Sequence, residues 1–312
     1  MTVMRTKNSI LLAKQESTYG LSANPTDGSD VVMASELTLT PIEADESDKS
    51  HTGDGIGTSK KMLIAKRVQI VFTIEIAGSG AVGVAPKYAH ILKASGFRET
   101  VDSGKAVAYT PDINATESLT LAYNMDGNLH TLTGAKGTAV FNLNAREVPT
   151  VQFTFIGLFV SPKTTVALTG KNPFTNWKHG DAITKTNTPT ALLDTQAVEF
   201  ENLSIDMGDT LAYVNRTNNE SVARRDRKSS GSCTIAALPI AIKNLWGKVE
   251  DETPVKLQLT HGVTVGNIIE FIAPKAQLTS PAYADNDGEA MQSFNLGLLP
   301  NLGSDEITIT FK

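Results

Sequence analysis

Between Lys66 and Ile76 the chain alternates. Val68, Ile70, Phe72, Ile74 and Ile76 share one face, while Arg67, Gln69, Thr73 and Glu75 share the other. A period of two predicts a strand with one buried and one wetted side. Upstream, residues 1–34 read as an irregular arm with turn signals at Asn24-Pro25 and Asp27-Gly28, followed by a strand from Glu36 to Thr40. Downstream, Pro86 opens a short helix in which Tyr88, Ile91 and Leu92 form a stripe, and Gly96 is placed to end it. Alternation then returns at 106–109, 118–123, 129–132, 138–143 and 150–159, with Asp126-Gly127 as a hairpin turn. This part predicts an antiparallel meander.

From Ser161 to Thr190 the chain is polar, rich in Thr and Asn, carries Pro173 and Pro189, and loses its periodicity. That composition predicts a linker or insertion. The plan then recurs. A strand at 198–205, a long polar loop, a strand at 232–237 and a short helix opening at Pro239 with Ile242, Leu245 and Trp246 precede strands at 255–260, 267–272, 276–278, 290–297 and 306–311. The two halves share their order of elements, not their letters. The expected organisation is an arm over 1–34, a first β domain over 35–160, a linker or insertion over 161–190 and a second β domain over 191–312.

Composition narrows the function. The length of 312 residues suits two domains, and a supply rich in Thr, Ser, Asn and Gly with 6% aromatics favours short strands and turns. A net charge of −5 with mixed signs gives no basic footprint for reading nucleic acid. Cys233 is the only cysteine, which excludes an intrachain disulfide and a zinc or redox cysteine pair. The apolar stretch Ile10 to Ala13 is too short for a signal-peptide core, and no segment approaches the roughly 20 apolar residues of a membrane span. The expected compartment is a cytoplasm.

The strongest catalytic lure is Gly78-Ser79-Gly80-Ala81-Val82-Gly83, which fits the G-x-G-x-x-G dinucleotide pattern. Its context is wrong. A dinucleotide fold buries the preceding strand on both faces, whereas Gln69, Thr73 and Glu75 are polar; a helix starting in the glycines would also hold Pro86 in its interior at a cost of about 3 kcal/mol. A strand-to-helix loop is the better reading. His51, His90, His130, His179 and His261 lack metal-ligand spacing, and Asp285, Asp287 and Glu289 lack the full ligand series of a calcium loop. No G-x-S-x-G elbow is present. The chain is read as no enzyme, with no cofactor and no metal.

Two long loops hold equivalent places in the halves. The first carries Glu43, Asp45, Glu46, Asp48 and Asp54; the second carries Arg216, Arg224, Arg225, Arg227 and Lys228. Opposite charge in matched loops predicts contacts between copies of the chain, since complementary potential selects partner and register. The plain alternative is two solvated loops. Under either reading the loops should add little to the cores.

The segment Ile10-Leu11-Leu12-Ala13-Lys14-Gln15-Glu16-Ser17-Thr18-Tyr19-Gly20, followed by Ala23-Asn24-Pro25, resembles the start of tail tube proteins of long-tailed phages. A second stretch, Asn267 to Leu299, with Pro274-Lys275-Ala276-Gln277 and an Asp287-Gly288 turn, is similar to the final hairpin of a tube domain. The resemblance implies a mainly β chain of two tandem β-sandwich or half-barrel domains, each with one short flanking helix. It further implies a homotrimeric, pseudo-hexameric ring that stacks into the conduit for DNA. The partners it implies are further copies of the chain, the tail terminator, tape measure and distal tail proteins, with DNA passing unread and no membrane. The place it implies is the virion tail, assembled in the host cytoplasm. A capsid decoration or adhesin-like β-sandwich is the competing reading.

Overall fold

A computed structural model of the chain describes residues 3–53, 55–166, 174 and 177–312. Strands take 56% of it and helices 4%, so the chain is mainly β, as expected. In the first half the elements are β1 (Ser9–Gln15), β2 (Val31–Val32), β3 (Ser35–Lys49), β4 (Lys60–Glu75), α1 (Ala89–Ala94), β5 (Phe97–Asp102), β6 (Ala106–Pro111), β7 (Leu119–Met125), β8 (Asn128–Asn144) and β9 (Thr150–Thr164). The second half holds β10 (Thr190–Leu193), β11 (Gln196–Ala197), β12 (Phe200–Asp206), β13 (Asp209–Arg216), β14 (Asn219–Arg227), β15 (Ser230–Ala236), α2 (Leu245–Glu250), β16 (Val255–His261), β17 (Ile269–Asn286), β18 (Glu289–Leu298) and β19 (Thr308–Phe311).

Alternation in β4 does what the pattern demands: Val68, Ile70, Phe72, Ile74 and the following Ile76 are all buried. Phe72 stacks on Phe155 of β9 with ring centroids 5.9 Å apart. Each fully buried side chain of this size contributes about 1.5–3 kcal/mol. Strand β8 runs unbroken where two strands were expected, because the chain crosses Thr133–Lys136 as a bulge instead of a turn. Gly134 supplies the left-handed conformation there (φ +58). Strand β17 likewise joins the two expected strands at 267–272 and 276–278.

The hydrogen-bonded order in the first half is β3-β4-β9-β8-β7-β1, all antiparallel. In the second half it is β12-β15-β18-β17-β16-β10, again all antiparallel. The halves are not separate bodies. Residues Asn202–Asp206 of β12 pair with Val140–Asn144 of β8, and β19 bridges β17 to β6. A single 17-stranded sheet results, with β13 and β14 as a hairpin outside it. One hydrophobic core crosses the boundary, shown by Phe141 edge-on to Phe271 and Tyr109 edge-on to Phe311, both at 5.7 Å.

Several expectations change. The arm is not irregular throughout: Ser9–Gln15 forms β1 along β7, because Leu11, Leu12 and Ala13 are apolar enough to be buried there. Helix α2 starts at Leu245, not Pro239; Asn244 caps it by accepting from the Gly247 N–H at 2.9 Å. Within 161–190 the expected Pro173 lies outside the described residues. Ile183, by contrast, is buried and exchanges backbone hydrogen bonds with Arg146 and Glu147. The second long loop is a hairpin, β13–β14, with one bulge near its base, and its alternation at Leu211, Tyr213 and Val222 was hidden by its charged residues.

Candidate functional site: the hairpins and the open edges

The glycine run proves to be a seam. The Gly78 N–H donates to Asn267 Oδ1 at 2.7 Å and the Gly80 N–H to the Gly266 carbonyl at 3.0 Å. A Cβ on Gly78 would stand 2.2 Å from that carbonyl oxygen, so only glycine lets the two backbones approach. The run joins the first half to the β16–β17 turn.

Hairpin β13–β14 is locked onto the first half. The Arg224 guanidinium lies 2.9 Å from Asp209 Oδ1, with both side chains 1% exposed. Its Nη2 donates to the Gly137 carbonyl at 2.9 Å and to the Ala94 carbonyl at 3.2 Å, the latter at the end of α1. Gly96 leaves room for it, since a Cβ there would sit 2.7 Å from the guanidinium carbon. Arg227 spans both Glu306 carboxylate oxygens through one nitrogen at 3.0 and 3.2 Å. Burial pushes the Asp209 carboxyl up to about 6, against the pull of Arg224 and Arg227. Desolvation lowers the Arg224 value in turn.

The opening motif supplies the second lock. Glu16 accepts four hydrogen bonds: from the Gly20 N–H and Ser118 hydroxyl on Oε2, and from the Thr120 hydroxyl and Gly134 N–H on Oε1, at 2.6–2.9 Å. This carboxylate ties the end of β1 to β7 and to the β8 bulge. Tyr19 then accepts from the Val222 N–H at 2.6 Å, fixing the middle of β14. Lys136 lies 5.6 Å from the Tyr19 ring centre. Residues that carried the family resemblance thus hold the hairpin down.

Hairpin β3–β4 is different. Glu43 and Asp45 pair with Arg67 of the same hairpin at 2.5 and 3.3 Å, and Glu46 pairs with Lys61. Asp48 is exposed, and Asp54 lies outside the described residues. Arg67 sits 5.8 Å from the Tyr213 ring, where the two hairpins meet. Ile42, Met62, Leu63 and Ile64 stand 41–46% exposed. In the basic set Arg216, Arg225 and Lys228 face solvent, whereas Arg224 and Arg227, expected on a solvated loop, are buried. Among the described residues no ion pair joins the acidic set to the basic set.

Two strand stretches in these regions are open. Strand β3 pairs with β4 alone, and a groove of about 560 Å³ beside it is lined by Ser35, Leu37, Leu39, Tyr123, Met125 and His130. On β17 the pairing with β16 stops at Ala276, leaving Gln277–Asn286 bonded on the β18 side only. Sequence reasoning missed both, because alternation identifies a strand and not its neighbours.

Other candidate chemistry is structural. Asp285 accepts from the Gly288 N–H at 2.7 Å and closes a hairpin turn. His261 contacts the Thr188 hydroxyl and the Asp181 carbonyl, each at 3.0 Å. Burial pushes the Cys233 thiol up to about 12, so it is unreactive near neutral pH. Among the described residues no cluster of His, Cys, Asp or Glu could hold a metal ion, and no helix is long and apolar enough to cross a membrane.

Comparison with known families gives the remaining observation: the family model described as phage tail tube protein matches residues 6–297. The chain belongs to the phage tail tube protein family. It is therefore a structural component of a phage tail. No curated protein matches the sequence. For a tail tube protein, whose family assembles with itself and with other tail proteins, the informative surfaces are those that a single copy leaves unfinished. Strand β3, the outer part of hairpin β3–β4 and the far end of β17 are those surfaces.

Proposed function

We propose that this tail tube protein polymerises as stacked rings of three subunits, whose joined sheets line the conduit through which DNA is ejected. The observation that carries the reading is the matched order β3-β4-β9-β8-β7-β1 and β12-β15-β18-β17-β16-β10. With residues 35–160 and 191–312 as two tube domains, three subunits supply six ring positions, and closure removes strand edges that would otherwise aggregate. The terminal rings meet the tail terminator and the distal tail proteins, and the tape measure occupies the lumen before DNA does. A net charge of −5 suits a wall that phosphate must pass without sticking.

Between rings, the exposed members of the charged sets make complementary contacts: Asp45, Glu46 and Asp48 on one side, Arg216, Arg225 and Lys228 on the other. Electron microscopy of the purified protein tests the assembly. Rings with threefold symmetry stacked into tubes are the expected result. Dispersed monomers at high concentration, or rings of six whole chains, would refute it. Reversing Arg216, Arg225 and Lys228 to Glu should shorten tubes while leaving the subunit folded; tubes of normal length would remove these residues from the contact.

A further inference from the structure

The pairing of β12 with β8 inside one chain is a template for a contact between chains. Strand β12 stands first in the second-half order and β3 stands first in the first-half order. Each pairs with the next strand of its order, β15 or β4, through an irregularity at the start, between Phe200 and Asn202 in one and between Ser35 and Thr38 in the other. That aligns Thr38-Leu39-Thr40 with Asn202-Leu203-Ser204. The outer side of β12 is covered by β8; the outer side of β3 is bare. The strand that corresponds to β8 in the second half is β17, and its far end likewise has no strand on that side, although Trp246 of α2 packs on Tyr283 there with ring centroids 5.1 Å apart.

We propose that β3 of one subunit pairs antiparallel with the free end of β17 of the next, repeating the β12–β8 join around the ring. This rests on the ring assembly proposed above and names its edges. The template also sets the register. On β8 the pairing with β7 ends at Ala135, and Leu143, eight residues on, faces Leu203. On β17 the pairing with β16 ends at Ala276, opposite Leu298 of β18; the bulge between Thr279 and Ala282 inserts one residue, so eight ladder steps on stands Asp285, opposite Ala290. Leu39 therefore faces Asp285 of the neighbour, and Thr38 faces Asn286.

A second observation points the same way. Hairpin β13–β14, which continues from β12, lies on β8 and β9 and buries Val222 there. Hairpin β3–β4 continues from the β3 edge in the same manner, with Met62 and Ile64 on one face and Leu63 on the other, each 41–45% exposed. Pairing of β3 on the neighbour's β17 lays one face of this hairpin over the neighbour's β17 and β18, and gives the side chains on that face the shelter that Val222 already has. The occupant of both open edges is thus a second copy.

Hydrogen exchange on the unmodified protein tests the inference, comparing subunit and assembled tube. Amides of Thr38–Ile42 and Ala282–Asn286 should slow by about a hundredfold on assembly, as amides entering a strand ladder do. Tubes in which both stretches exchange as fast as in the free subunit would overturn the edge assignment while leaving ring assembly intact. A chain that forms no rings would overturn both. Register is read by cross-linking: Thr38→Cys with Asn286→Cys, treated with a short thiol-reactive linker, should give covalent trimers, the buried Cys233 staying silent. Covalent dimers from Thr38→Cys alone would mean that β3 pairs with β3, and would sink the proposal.

Discussion

The two hairpins that start from equivalent strands behave as a finished and an unfinished version of one arrangement. Hairpin β13–β14 is pinned by Arg224 on two carbonyls, by Arg227 on Glu306 and by Tyr19 on Val222. Hairpin β3–β4 holds its charges in pairs of its own and leaves Met62 and Ile64 on one face, and Leu63 on the other, 41–45% exposed. The difference teaches that charge along a sequence does not mark a contact surface. The hairpin whose arginines look like the exposed docking element is the buried one. The hairpin that looks merely acidic carries the exposed apolar side chains Met62, Leu63 and Ile64.

The largest expected effect that tests this contrast is at Arg224. Replacing it with Ala strands the buried Asp209 and two carbonyls, so chemical denaturation of the subunit should show a loss of about 3–5 kcal/mol. Arg225→Ala beside it should stay within about 0.5 kcal/mol. Equal losses at the two positions would end the distinction between locked and solvent-facing arginines.

Asp209 gives the next effect, as a pH dependence. Its folded-state value near 6 lies above the ordinary carboxyl value of 3.8, so folding favours the protonated form. The stabilisation is complete below pH 3.8 and is lost as pH rises through 6. Relative to Asp209→Asn, the stability of the unaltered chain should fall by about 1.4 kcal/mol per pH unit across that window, then level off. A difference that grows more favourable to Asp209 with rising pH would reverse the assignment.

Smaller still is the contrast of apolar residues. Val222→Ala removes two buried carbons and should cost the subunit about 1.6 kcal/mol. Leu63→Ala, on the bare hairpin, should change subunit stability by less than about 0.5 kcal/mol while reducing the yield of tubes. Thermal unfolding of the subunit and sedimentation of assembled material separate the two outcomes. A Leu63 variant that loses stability as a free subunit would show that the hairpin is already sheltered.

Much of the fold is legible in the letters, for a local reason. The strands β4, β6, β9, β16 and β18 bury alternate residues, and alternation is a property of neighbours in sequence. The Asp126-Gly127 and Asp287-Gly288 turns take the left-handed backbone that such pairs favour. Strand β5 escaped because Arg98, Glu99 and Asp102 dilute a short edge, and β13–β14 escaped because Arg224 and Arg227 are charged residues with buried partners far away in sequence. Glu16 and Tyr19 were visible as part of a motif, but their work depends on Gly134 and Val222, more than a hundred positions away. The open edges of β3 and β17 are visible only once every other pairing is known. Long-range pairing is what a local pattern does not carry.

The length of β8 has a consequence for any attempt to dissect this molecule. One end of the strand serves β7 and the other serves β12, so no scissile point between the halves yields two self-contained pieces. A fragment ending near Thr164 would present the raw hydrogen-bonding groups of Val140–Asn144, and would clump in solution unless a synthetic peptide spanning β12 were added back to it.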